Sequence, residues 1–133
     1  MKQIVVLGGG ISGYGSAILA KKKGFGVFLS DAGRIADRYK AKLDEWEVPY
    51  EEGGHTEERI LAATEVVKSP GIPDTAPMVR KIREAGIPVI SEMEFAGRYM
   101  GKAKCICITG SNGKTTTTSL IYKIMRDAGM NVA

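Results

Sequence analysis

An α/β protein with a parallel sheet and helices on both faces is what this sequence predicts. Three observations lead there. Short apolar runs with strand character alternate with helix-like segments along the whole chain. Glycine-rich turns sit where a strand hands over to a helix, at Gly8 to Gly13 and again at Gly110 to Gly113. The 133 residues are 44% hydrophobic, enough for one packed domain, or one domain and a piece of another.

The elements follow in order. "KQIVVLG" (2–8) is a buried strand, and "GYGSAILAKKK" (13–23) is a helix closed by Gly24. The basic triplet Lys21, Lys22 and Lys23 falls at that helix's C-terminus, where it complements the dipole. "GVFLSD" (26–31) is the second strand. Ile35, Tyr39, Leu43 and Trp46 recur at helical spacing through "RIADRYKAKLDEWE". "VPYEEGG" is a short third strand, and "TEERILAA" a short helix with Thr56 as its cap. "EVVKSPGIP" (65–73) is a strand running into a turn. "TAPMVRKIREAG" places Met78, Val79, Ile82 and Ala85 on one face and stops at Gly86. "IPVIS" is a fifth strand, and Ser91 with Glu94 three later is a capping box. "KAKCICITG" is a sixth strand, and a last helix runs from about Lys114 to Ala128. The boundary falls at Gly101 to Lys104, dividing 1–101 from 102–133.

The net charge of +4 is mild, and no basic stripe with interleaved aromatics appears, which argues against a nucleic-acid partner. No apolar run approaches the roughly 18 residues of a membrane span, and Lys2-Gln3 leads straight into a strand with no signal peptide. Cys105 and Cys107 would have α-carbons about 6.6 Å apart in a strand, near the upper limit for a disulfide. Reduced core cysteines in a cytoplasmic protein are the expectation. The single histidine, His55, lies in a polar loop and reads as surface filler.

Two segments carry chemistry. "LGGGISGYG" holds Gly-x-Gly-x-x-Gly as Gly8, Gly10 and Gly13, between a strand and a helix, the setting of a dinucleotide or nucleoside-diphosphate seat in a Rossmann-like sheet. Asp31 ends the second strand, 18 residues beyond Gly13, where a carboxylate can accept hydrogen bonds from a ribose or a base. Taken alone, this half suggests an NAD-type cofactor domain of an oxidoreductase, although nothing in it forces nicotinamide over another nucleotide; a nucleotide-binding module without chemistry is a third reading. "ITGSNGKTTTT" then places Gly110, Ser111, Asn112, Gly113, Lys114, Thr115 and Thr116 in a P-loop order. Loop amides wrap the phosphates of ATP, Lys114 balances β/γ charge, and the Thr115 hydroxyl can reach Mg²⁺. The spacing is shorter than Gly-x-x-x-x-Gly-Lys-[Ser/Thr], but strand, loop, lysine and hydroxyl keep their order.

Both loops in this order resemble the Mur ligases, which build the peptide of the bacterial cell-wall precursor. The resemblance rests on Thr109 to Thr115, on "SPGI" at Ser69 to Ile72, and on "SEMEF" around Glu92. "GGGISGYG" followed by "FLSD" is most similar to the branch that adds D-glutamate. The resemblance implies a Rossmann-like first domain that holds a UDP-sugar, followed by the first strand, P-loop and helix of an ATP-binding domain. It implies an ATP- and Mg²⁺-dependent ligase acting on UDP-N-acetylmuramoyl-L-alanine and D-glutamate through an acyl phosphate. Carried over by position, Gly10, Ile11, Ser12 and Gly13 would meet the diphosphate, and Asp31 and Ala32 the uracil. Gly71 would lie along the UDP-sugar, and Asn112 would approach its phosphate or sugar. Family members often place a hydroxyl residue where Ala32 stands, so one side-chain contact is missing. Lys114 would be the catalytic residue and Thr115 the metal ligand. The chain would be the first part of such a ligase, inactive by itself.

Overall fold

β1 (Gln3–Leu7) lies at the centre because its composition permits nothing else. Ile4, Val5, Val6 and Leu7 are each at most 2% exposed, and such a run must be covered on both faces. The computed structural model describes residues 1–133, which form two compact units, Met1–Gly101 and Lys102–Ala133.

In the first unit five parallel strands stand in the order β3-β2-β1-β4-β5. β2 is Gly26–Asp31, β3 Tyr50–Glu52, β4 Glu65–Lys68 and β5 Val89–Ser91. Val5 sits opposite Phe28 on one side and Val66 on the other. Alternate residues serve opposite faces. Ile4, Val6, Val27 and Leu29 join Ala17, Ala20, Leu43 and Phe95 in one core layer. Val5, Leu7, Phe28 and Val66 join Ile60, Met78, Val79 and Ile82 in the other. The first layer is closed by α1 (Ile11–Lys22), α2 (Asp37–Glu45) and α5 (Glu92–Gly97), the second by α3 (Glu57–Leu61) and α4 (Pro77–Glu84). The expected α/β architecture with both faces covered is the observed one.

Sequential strands move outward from β1 to β3, then the chain returns to place β4 on the other side of β1. That reversal opens a crevice at the C-terminal ends of β1 and β4, where open α/β sheets bind ligands.

Several element ends differ from expectation. α1 starts at Ile11, inside the glycine motif, with Gly10 as its N-cap. Ile35 is buried but precedes α2, because its amide donates to Glu52 Oε2 (2.8 Å) rather than joining a helical turn. Thr56 does not cap α3 with its side chain; its hydroxyl donates to Glu51 Oε2 at 2.5 Å. Ala85 ends α4 exposed, off the buried face. Ser91 caps α5 as expected, accepting from the Glu94 amide at 3.1 Å.

The second unit consists of one helix, α6 (Lys114–Asp127), and the segments on either side of it. The sixth strand expected over 102–110 does not form. A strand is stabilised by its ladder, and no neighbour pairs with this segment. Cys105 and Cys107 are therefore exposed free thiols, 3.9 Å apart at sulfur, and not core residues. α6 buries none of its residues. Neither unit contains a helix long and apolar enough to cross a membrane.

Candidate functional site

The glycine motif is built by close approach. The Gly8 amide donates to Ser30 O (2.9 Å), carrying the β1–β2 ladder past the end of the strands. Gly8 has φ +100°, and a Cβ there would stand 2.7 Å from Ser69 Oγ. A Cβ on Gly13 would collide with the Gly8 carbonyl, so α1 can lie this close to β1 only with glycine at that position. Gly10 differs, since a Cβ there would meet nothing within 4 Å. The first bond of α1 runs from Tyr14 N–H to Gly10 O (3.0 Å). The amides of Ile11, Ser12 and Gly13 are thereby left outside the helical ladder, at the positive end of the dipole. Ile11 is 70% exposed and Ser12 is exposed beside it. An anion can be seated here without moving the backbone.

Asp31 has a second task that sequence spacing does not reveal. Its Oδ2 accepts from the Gly9 amide at 2.6 Å and its Oδ1 from the Gly33 amide at 2.7 Å. The carboxylate ties the end of β2 to the glycine loop, and each oxygen retains a further lone pair for a ligand.

A cleft of ≈ 460 Å³ opens beside these residues. Gly8, Asp31 and Ala32 line it from the ends of β1 and β2, His55 from the β3–α3 connection, and Ile72, Met78 and Lys81 from the "SPGI" loop and α4. Apolar surface with a few convergent polar groups is the usual make-up of a small-molecule site. Lys81 is ion-paired with Glu57. Gly71 lies exposed in the loop that contributes Ile72.

His55 is not surface filler. Its Nδ1 lies 2.6 Å from Ser30 Oγ, which also lies 2.6 Å from Glu51 Oε1. Glu51 further accepts from the Thr56 amide (2.8 Å) and the Thr56 hydroxyl. Burial pushes the Glu51 carboxyl up, but the bonds from Ser30 and Thr56 outweigh it and hold the group below the ordinary glutamate range. Two further pairs shape the crevice. Glu92, 6% exposed, accepts from Ser69 Oγ at 2.5 Å. Lys68 Nζ donates to Ile72 O (2.6 Å) and Ser69 O (3.3 Å), bracing the "SPGI" loop. The sequence motifs pointed to the segments of Ser69 and Glu92, but nothing local marked these pairings, because partners are fixed only when distant segments meet.

In the second unit Gly110 has φ +148° and Gly113, the N-cap of α6, has φ +78°. Lys114 Nζ donates to Gly110 O at 2.5 Å, folding back across the loop. Ser111 and Asn112 are exposed between the two glycines, and Thr115 and Thr116 are exposed in the first turn of α6. Thr118 Oγ1 donates to Lys114 O (2.7 Å). Two left-handed glycines, a helix N-terminus and a lysine fit a phosphate chain. The one neutral Thr115 hydroxyl fits Mg²⁺, which takes few protein ligands when phosphates supply the rest. No group of three or more His, Cys, Asp or Glu that could hold a metal by itself is present.

Comparison with known proteins covers both units. The family model described as Mur ligase MurD-like, N-terminal domain, matches residues 2–91, and the Mur ligase middle domain matches 108–133. The chain is 64% identical over 132 residues to a UDP-N-acetylmuramoylalanine–D-glutamate ligase of Bacteroides fragilis, covering 99% of this chain and 30% of that one. The Bacteroides thetaiotaomicron protein of the same name is 62% identical, with the same coverage of 99% and 30%. A murein peptide ligase from Psychrobacter arcticus matches in structure with a TM-score of 0.75 and 26% identity, over 97% of this chain and 27% of that one. The chain thus spans 30% of the length of these curated relatives.

Proposed function

This chain belongs to the Mur ligase family, and on that premise we propose that it carries the UDP-sugar-binding unit, 1–101, and the opening of the ATP-binding unit, 102–133, of a ligase that joins D-glutamate to UDP-N-acetylmuramoyl-L-alanine. One observation carries this reading. The 64% identity to a D-glutamate ligase extends over 132 residues, and so includes both glycine loops, Asp31 and Lys114. An oxidoreductase cofactor domain has no use for the second loop.

The family resemblance implies the residue roles, and the geometry supports them. The free amides of Ile11, Ser12 and Gly13 hold the diphosphate, and the space above Gly10 lets it approach. Asp31 and Ala32 border the uracil, and Gly71 lies along the sugar side. The amides of Gly110, Ser111, Asn112 and Gly113 surround the ATP phosphates, with Thr116 in the same first turn. Lys114 leaves Gly110 O to offset charge on the γ-phosphoryl group as it moves. The Thr115 hydroxyl would help to hold Mg²⁺, which would supply Lewis-acid neutralisation of the phosphates. Such a cell-wall precursor ligase works in the cytoplasm on small nucleotide-linked substrates, with no membrane or nucleic-acid partner.

Titration calorimetry of this chain with UDP and with NAD tests the reading. UDP is expected to bind and NAD to give no more than a weak signal. Tight NAD binding without a UDP response overturns it.

A further inference from the structure

The hydrogen-bond polarity around His55 can be worked out from its partners. Glu51 Oε1 accepts from the Thr56 amide and Oε2 from the Thr56 hydroxyl, and a carboxyl that accepts on both oxygens is favoured in its ionised form, which has no proton to give. The single hydroxyl proton of Ser30 therefore goes to Glu51 Oε1 at 2.6 Å, in preference to Gly54 O at 3.5 Å. Ser30 Oγ is left to accept from His55, so Nδ1 must carry a hydrogen. That is a locked tautomer. With the ring neutral, Nε2 is a bare acceptor. It has no partner within the protein, and its residue lines the cleft together with Asp31 and Ala32.

We propose that His55 is a specificity-determining residue of the nucleotide cleft, its Nε2 accepting a hydrogen bond from a neutral donor of the uridine moiety, with Ser30 and Glu51 fixing the tautomer that makes this possible. The proposal rests on the UDP-sugar reading above. Two uridine groups offer such a donor, the N3–H of the base and a ribose hydroxyl. A cytosine N3 or an adenine N1 would meet the bare Nε2 lone pair to lone pair, so an acceptor at this position also discriminates by repulsion against those bases.

The test uses the whole 133-residue chain at mildly alkaline pH, where imidazoles are neutral. His55 is the only histidine, so ¹⁵N imidazole spectra contain one ring. Those spectra should show Nδ1 protonated in the wild type, and this preference should be lost in Ser30→Ala. A wild-type ring protonated at Nε2 overturns the proposal. UDP affinity should fall roughly three- to tenfold in His55→Asn, which retains a donor towards Ser30 but has nothing at the Nε2 position. His55→Gln, whose amide reaches the Nε2 position, should recover part of the loss. Wild-type and His55→Asn proteins are then compared with 3-methyluridine diphosphate and 2′-deoxyuridine diphosphate. The analogue whose penalty vanishes in His55→Asn identifies the donor. Unchanged UDP affinity in a folded His55→Asn protein, or full penalties for both analogues in that variant, overturns the role of His55 and leaves the UDP reading intact. No UDP binding by the wild type removes both.

Discussion

Both units place a glycine turn ahead of a helix N-terminus, yet the two turns are held in very different ways. The first is braced from three sides. Asp31 grips the Gly9 amide, Ser30 O accepts from Gly8, and the Ser69–Glu92 pair packs against Gly8 and Gly13. In the second unit the loop's own lysine bonds back to Gly110, and no buried side chain stands behind it. The difference is one of support: residues of the sheet brace the first glycine turn from outside, while the second is held only by a bond within its own loop.

The largest expected effect sharpens this contrast at two glycines. Gly13→Ala drives a Cβ into the Gly8 carbonyl, a backbone atom that cannot swing aside. It should destabilise the first unit by about 3 kcal/mol, seen as a lower urea midpoint. Gly113→Ala has φ +78° but open space around it. It should strain its own turn by roughly 1–2 kcal/mol and leave the unfolding of the first unit where it was. Equal shifts from the two substitutions would erase the distinction.

A middle-sized effect separates the units by ligand. Asp31→Ala removes a charged acceptor and releases the Gly9 and Gly33 amides. UDP binding should weaken by about 1.5–3 kcal/mol. Lys114→Ala should leave UDP affinity nearly unchanged, since its amine contacts the second loop alone. Calorimetry on both variants reads the difference, and matching losses would show that the two loops act as one site.

The same contrast explains what was legible in the sequence. Ile4 to Leu7, Val27 to Leu29 and Val66–Val67 declared buried strands because hydrophobicity is a local property. The Ser91 cap could be read because its partner, Glu94, is three residues away. The sixth strand failed because strand formation depends on a neighbour, and the run through Cys105 to Ile108 has none. Thr56 reads as a cap by residue type, but Glu51 competes successfully for its hydroxyl. His55 looked idle because the residues that orient it and share its cleft come from β2, β3 and α4. Asp31 was found by spacing, but its bracing of the glycine loop depends on where Gly9 comes to lie in the fold.

The smallest effect concerns the apolar stripe of α6. Leu120, Ile121, Ile124 and Met125 follow the spacing of one helical face, which in a globular domain is buried. Here Leu120 is 56% and Ile124 65% exposed. Little packing is lost when either is shortened, and alanine is the better helix former. Leu120→Ala and Ile124→Ala should therefore each change the stability of this chain by less than about 0.5 kcal/mol. The middle-domain match reaches from residue 108 to 133, and the relatives are far longer than this chain. In a protein extended to their length, the stripe should pack against the rest of that domain. The same substitutions should then destabilise by about 2–5 kcal/mol each, as buried Leu and Ile truncations do. Urea unfolding of the two lengths, with and without the substitutions, measures the difference. A large loss already present in the 133-residue chain would mean that α6 is packed in solution, and the contrast between a braced and an unbraced loop would have to be withdrawn.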